Sequence, residues 1–553
     1  MLSTRGSPVS PSVPDQTFSQ VSSSPHEHDL QVSRPKINGA HLAASESQDV
    51  HRSLASGANE VTQLRRASTQ LHPCPVHRMP PELLGIIFEN CLPTKELPSA
   101  TLSESPLLLG RVCTHWRSVS QSTPKLWTSL SFNFLESDID RMRDGIKVTF
   151  VLDRWLRRSS NLLLSVSFTD NRIYQPDTDN LIAWFLLQIR EHSKRWKYIY
   201  LQFSTDYFTR LSVMSSCRFT SLESLSIHAD HMGWRRGLAT LGLDLGLTDR
   251  LKYLSYTGPD WSIRENTFMD WTHLTEISFQ YNLHEAGGEG SMLFQHFTSF
   301  GLCQNLTVLS ICLRYSFRSF PNDFIVLPRL HTLKILSRNS RGYAVLNLFV
   351  LLQLETLEID GVILVGLDGL DTTHLHDTHF SEMLRRSACT LRRLHIRDLD
   401  FPSEELLRCL ALAPALESFL FLPCPRFRPI GDLIDYLTIG SIDHETPDTL
   451  SPRLPHLQKL RIGCGHELYL TPLVEMVEAR SGTGAARVGV ARLLEFELVL
   501  YDFVHDDHPL RRVHLDDFKE RLTRCADDDG RMVVGIRIDR PYDPVYISMP
   551  SDV

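Results

Sequence analysis

Leu330-His331-Thr332-Leu333-Lys334-Ile335 is followed 24 residues later by Leu354-Glu355-Thr356-Leu357-Glu358-Ile359. Each stretch has an apolar residue, two variable ones, a second apolar residue, one variable one and a third apolar residue. The last three positions alternate, which is the signature of a strand with one face buried. The unit returns at Leu222–Ile227, Leu251–Tyr256, Leu274–Phe279, Leu306–Ile311, Leu391–Ile396, Leu416–Phe421, Leu457–Ile462 and Leu493–Leu498. Trp196–Leu201 reads as an earlier copy and Leu164–Phe168 as an opening strand. Starts lie 23 to 41 residues apart from Leu222 onward, so the repeat is irregular and its longer copies hold insertions. Helical returns are expected at Ser381–Leu384 and Ser403–Leu407. A unit of this size leaves apolar faces open on both sides, and stacking closes them.

The spacing resembles leucine-rich repeats, several copies falling in that family's usual range of about 20 to 29 residues. The family's asparagine or cysteine ladder after the strand is missing. The resemblance implies an irregular α/β solenoid over residues 133–553 that binds a protein client. The outward strand positions flank the middle apolar residue. They run from small hydroxyls (Ser224, Ser226, Ser255, Ser278, Ser310) to a basic stretch, then end on Glu495 and Glu497. Arg393, His395, Lys459 and Arg461 are the candidate client-binding residues, suited to an acidic or phosphorylated segment.

A different pattern precedes the repeats. Met79-Pro80-Pro81-Glu82-Leu83-Leu84 opens a helix, with proline where no hydrogen bond is lost and a carboxylate near the positive helix end. Leu83, Leu84, Ile87, Phe88, Cys91 and Leu92 sweep about half its circumference at about 100° per residue, with Ile86 outside the arc. A helix packed on one core needs only about a 100° stripe, so the surplus points to a second partner. Ser105-Pro106 reads as the start of another helix, with Leu109, Val112, Cys113, Trp116 and Val119 on its buried face. Pro124 stops it, and Leu126-Trp127 folds back as a lid.

Residues 75–130 resemble an F-box, the small helical domain that docks onto a Skp-type adaptor. Met79 stands where that family usually has leucine, and the polar link from Leu92 to Pro106 is long. The resemblance implies that Pro80, Leu83, Leu84, Ile87, Phe88, Val112 and Trp116 shape or form the adaptor-binding face. It implies a substrate receptor of a cullin-type ubiquitin ligase, holding the adaptor at one end and a client at the other, with no catalysis and no cofactor of its own. An F-box scaffold acting outside a ligase and an enzyme on an α/β repeat-like fold are the alternatives.

The expected organisation is a disordered tail over 1–70, an all-α F-box-like domain over 71–132 and the repeat region over 133–553. The tail is rich in Ser, Gln, Pro, His and Asn, too poor in large apolar groups to offset its ordering entropy. Arg65-Arg66-Ala67-Ser68 has the pattern of a basophilic kinase site. The net charge of −8 gives no reason to expect nucleic acid or an anionic membrane as partner. Eleven scattered cysteines without a CxxC pair suit a reducing, cytoplasmic or nuclear compartment. His374, His376 and His379, and separately His505 to His508, are polar clusters expected in surface loops. Neither has a thiol partner at metal-site spacing, Gly482-Thr483-Gly484 lacks the context of a phosphate loop, and no small-molecule substrate is expected.

Overall fold

The leading leucine of each repeat is the hinge of the architecture. Leu222, Leu251, Leu274, Leu306, Leu330, Leu354, Leu416, Leu457 and Leu493 are all fully buried, each two residues ahead of a strand. The chain then runs extended and alternates, as in Thr332–Ser337, where Leu333 and Ile335 are buried and Lys334 is exposed. In this computed structural model the strands are β1 (Ser129–Phe134), β2 (Leu164–Asp170), β3 (Trp196–Ser204), β4 (Ser224–Asp230), β5 (Tyr253–Gly258), β6 (Glu276–Tyr281), β7 (Val308–Leu313), β8 (Ile325–Val326), β9 (Thr332–Ser337), β10 (Phe349–Val350), β11 (Thr356–Gly361), β12 (Arg393–Leu399), β13 (Ser418–Pro423), β14 (Lys459–Cys464), β15 (Glu495–Tyr501) and β16 (Val533–Asp539).

Fourteen of them form one parallel sheet in strict chain order, and β8 pairs only with β10 in a small separate sheet. The molecule is therefore mixed α/β with a large parallel sheet. The structure describes residues 75–134, 145–170, 176–204, 211, 214, 217–230, 248–258, 270–281, 299–313, 323–337, 340–361, 380–399, 401–423, 430–438, 453–464, 470–481, 485, 489–501, 518–525 and 532–539. The tail, the kinase-type motif, both histidine clusters and the Gly482–Gly484 motif lie outside these residues.

Register follows the repeat. Middle apolar residues stand side by side from Leu225 through Leu254, Ile277, Leu309, Leu333, Leu357 and Leu394 to Phe419, Leu460 and Phe496. The third apolar residues, Ile227 to Leu498, form a parallel buried row. The backbone ladder continues into the turns, where the carbonyl of Lys252 accepts from the N–H groups of both Thr275 and Glu276. The expected returns are helices: Phe380–Ser387 and Ser403–Ala411, followed by Ile430–Leu437 and Leu470–Ser481. Consecutive members of this series pack on one another.

One buried arginine and two half-buried ones tie separate segments together by donating to backbone carbonyls. Arg480 donates from Nε to the Leu437 carbonyl at 2.7 Å, and from its two terminal nitrogens to Arg453 at 2.7 Å and Leu454 at 3.3 Å. Arg386 reaches the carbonyls of Leu346, Asn347 and Phe349, and Arg195 that of Leu162. Burial lowers the Arg480 pKa to about 10, still charged at neutral pH.

The described residues from Pro80 onward belong to one compact unit, and residues 75–79, with a 3-10 helix at Pro75–Arg78, belong to another. Within the larger unit, α1 (Pro81–Glu89), α2 (Leu109–Val112) and α3 (Thr114–Ser122) precede β1. The helical part is fastened to the sheet directly. Ser99 bridges Ser131 in parallel, with the Ser131 N–H on the Pro98 carbonyl at 2.8 Å. Trp127 meets Trp155 edge to face at 4.8 Å, and the Trp155 Nε1 donates to the Ser129 carbonyl. The 132/133 division expected from sequence falls inside β1.

Three local expectations are corrected. The sheet opens at β1 rather than at Leu164, with Trp127 as the leading apolar residue of that unit and Leu130 and Phe132 buried behind it. No helix starts at Pro106: residues 101–108 are turns, and α2 begins at Leu109. The helix expected from Leu109 to Val119 is two helices, because Cys113 is extended at φ −159°, ψ 173° and its sulfur caps α3 by accepting from the Trp116 N–H. That break ends the helical period and turns Val112 outward, 57% exposed, instead of into the core.

Candidate functional site

The α1 helix is apolar on two sides. Taking about 100° per residue, Leu84, Gly85 and Phe88 share an arc of about 100°, and all three are buried. Leu83, Ile86 and Ile87 share a second arc of about 100° on the other side, and they are 52%, 55% and 43% exposed. The first arc is the core face. Phe88 packs on Trp116 with ring centroids 4.9 Å apart, and Gly85 sits so close to Thr123 that an added methyl would lie 3.3 Å from its Oγ1. The second arc has no described element over it.

The helix ends are set locally. Pro80 is extended ahead of Pro81, and the Pro80 carbonyl accepts the Leu84 N–H at 3.1 Å. Asn90 closes the helix by donating from Nδ2 to the Ile86 carbonyl at 2.9 Å. Beneath, the Trp127 Nε1 donates to the Ser120 carbonyl at 2.7 Å, and Arg117 donates to the Gly110 carbonyl at 2.7 Å. These two bonds join α2, α3 and the Pro124–Trp127 turn, and the Phe88–Trp116 contact adds α1 to the scaffold.

The sequence-derived adaptor residues therefore separate. Pro80, Leu83, Ile87 and Val112 are exposed, Trp116 is half-buried, and Leu84 and Phe88 are buried supports. Ile86, Leu102 and Leu108 are exposed apolar residues outside the sequence-derived set. The half-circumference arc that leaves Ile86 out spans both the buried and the exposed face of α1. Leu102 and Leu108 sit in turns, where no periodicity marks them.

The outward sheet face divides along its length. Arg393 and His395 stand on β12, and Lys459 and Arg461 on β14, with Ser418 and Leu420 of β13 between them in register. Each has a partner on its neighbouring strand. Arg393 Nε donates to Thr356 Oγ1 at 2.8 Å, His395 lies 3.9 Å from Glu358, Lys459 2.8 Å from Glu495 and Arg461 3.1 Å from Glu497. Lys334 pairs with Glu358 at 3.2 Å, and Arg397 with Asp360 at 3.9 Å. Such partly solvated pairs each contribute about 0–1 kcal/mol, but they cancel much of the local field. Burial and the surrounding Arg397, Arg393 and Lys334 push the His395 pKa down, Glu358 opposing them, and burial raises that of Asp360.

The other half of that face is almost free of charge. Across β3 to β6 one row reads Tyr198, Ser224, Tyr253, Glu276 and the next Tyr200, Ser226, Ser255, Ser278. Ser226 and Ser255, expected from sequence as outward positions, are buried, and they stand side by side in register. Burial raises the pKa of Tyr198 and Tyr253, so both phenols stay neutral and able to donate. Among the described residues no group of three His, Cys, Asp or Glu side chains is placed to hold a metal, and no helix is long and apolar enough to cross a membrane. Comparison with known proteins returns no matching family model and no matching curated protein.

Proposed function

We propose that this chain is an F-box-type substrate receptor: the helices around α1 dock a Skp-type adaptor, which links to a cullin, and the parallel sheet, read as an irregular leucine-rich-repeat-like solenoid, presents a client. The observation that carries this reading is the second apolar face of α1. Leu83, Ile86 and Ile87 on α1, and separately Leu108 and Val112 at the α2 segment, are large apolar groups left in water on a scaffold already held by its own core. A contiguous exposed apolar patch rimmed by polar residues marks an interaction site. In this reading the chain performs no chemistry and raises the client's effective concentration beside a ubiquitin-charged enzyme.

The test is co-purification from cells with the proteasome blocked. Wild-type chain is expected to recover adaptor, cullin and client, and Leu83→Asp the client alone. Recovery of adaptor without cullin would place the chain outside a ligase, and recovery of adaptor by Leu83→Asp at the wild-type level would overturn the assignment.

A further inference from the structure

On the reading of this chain as a receptor, we infer that the client docks on the neutral tyrosine–serine part of the sheet, β3 to β6, and that the docked segment is a peptide without clustered charge. The argument is one of complementarity. The cations of β12 and β14 face carboxylates or hydroxyls of their own sheet at 2.8–3.9 Å, so an acidic client must break or share those contacts to bind there. On β3 to β6 the two central outward rows carry one ionisable carboxylate, Glu276, and no cation. Burial already pushes the Glu276 pKa up, so this face does not favour a further negative group and offers little to steer a strongly charged one.

What it offers is hydroxyl and ring. Tyr198, Tyr200 and Tyr253 are half-buried, each with part of its surface in water. Tyr198 and Tyr253 flank Ser224 in register. Tyr200 is fixed in place: it donates to Gln202 Oε1 at 2.7 Å and its ring packs 5.2 Å from His228, whose Nδ1 is 3.0 Å from Thr257 Oγ1. Tyrosines pinned in this way contact a partner with large amphipathic area at little entropy cost, which is why tyrosine dominates binding hot spots.

The experiment selects peptides from a random displayed library on the immobilised full-length chain, then measures their binding to variants whose melting is compared with wild type. Enriched peptides of low net charge are expected, with affinity insensitive to salt. Tyr200→Ala and Tyr253→Ala are each expected to weaken binding about tenfold. Lys459→Ala and Arg461→Ala leave it unchanged. If Tyr253→Ala fails to fold, Tyr253→Phe, which removes only the hydroxyl, is expected to weaken binding about threefold. Acidic peptides lost at high salt or in Lys459→Ala, selected peptides indifferent to both tyrosines, or no enrichment at all would each overturn the inference. The receptor reading is scored separately. Leu83→Asp should keep peptide affinity and lose the adaptor, and wild-type chain that binds peptide but no adaptor would sink the receptor reading alone.

Discussion

Leu83 and Phe88 are five residues apart on one helix, and both belong to the set assigned to adaptor binding, yet the structure separates what their loss should do. Leu83 is 52% exposed and Phe88 fully buried against Trp116. Burying a whole leucine side chain is worth about 1.5–3 kcal/mol, so the half still in water holds about 1 kcal/mol for a partner to collect. Leu83→Ala should therefore weaken adaptor binding about fivefold, at 1.4 kcal/mol per decade. Leu83→Asp adds the cost of an unpaired carboxylate under the partner, at least about 2 kcal/mol, for a total loss of about a hundredfold or more. Both changes lie on the surface, and folding stability should move by no more than about 0.5 kcal/mol. Phe88→Ala removes a buried ring and should cost about 3–5 kcal/mol of stability. Calorimetry of purified chain with a purified Skp-type adaptor measures the first quantity and denaturant melts the second. Leu83→Asp binding within threefold of wild type, or melting as badly as Phe88→Ala, would refute the division of α1 into a docking face and a core face.

Other expectations follow from burial and contact. Arg480→Met should lower stability by about 3 kcal/mol or more in denaturant melts, because three carbonyls lose a charged donor inside the fold. Gly361→Ala should destabilise by about 1–3 kcal/mol, since an added methyl would run into the backbone of Asp398, which bulges from β12 at φ 53°; equal melting of the two proteins would show that this approach is not tight. His395 has a folded pKa below its ordinary value, so the unfolded chain binds the proton first as pH falls through about 6.5, and stability drops. His395→Gln should flatten the stability profile just below that pH, and an unchanged slope in melts across that range would remove His395 as its source.

The strands were legible because their chemistry repeats. A buried leucine, two residues and an alternating pair mark nearly every strand from β3 to β15. The first strand was missed because its leading apolar residue is Trp127, already read as the lid of the helical segment, so one side chain closes the helices and opens the sheet. The last, β16, was missed because its unit has no leading leucine and places Gly535 between Val534 and Ile536. The residues assigned to adaptor binding are legible in residue type but not in direction. Apolar periodicity on a helix apolar on two sides cannot say which side is core, and the break at Cys113, which turns Val112 out, depends on a backbone conformation no residue count reveals. The pairing of Arg393, His395, Lys459 and Arg461 was hidden because their partners come from other repeats and meet them only through register.

The bridge from Ser99 to Ser131 pairs the first strand with the segment between α1 and α2, so the helical scaffold is joined to the sheet through backbone as well as side chains. Position along the array then becomes a length. Neighbouring strands are spaced about 4.8 Å, so β5 stands about 19 Å and β12 about 43 Å from β1 along the path of the sheet. On the proposed receptor reading this array meters distance: whichever strand grips the client would decide how far it is held from the adaptor, and gaining or losing one repeat would shift that reach in steps of a single strand.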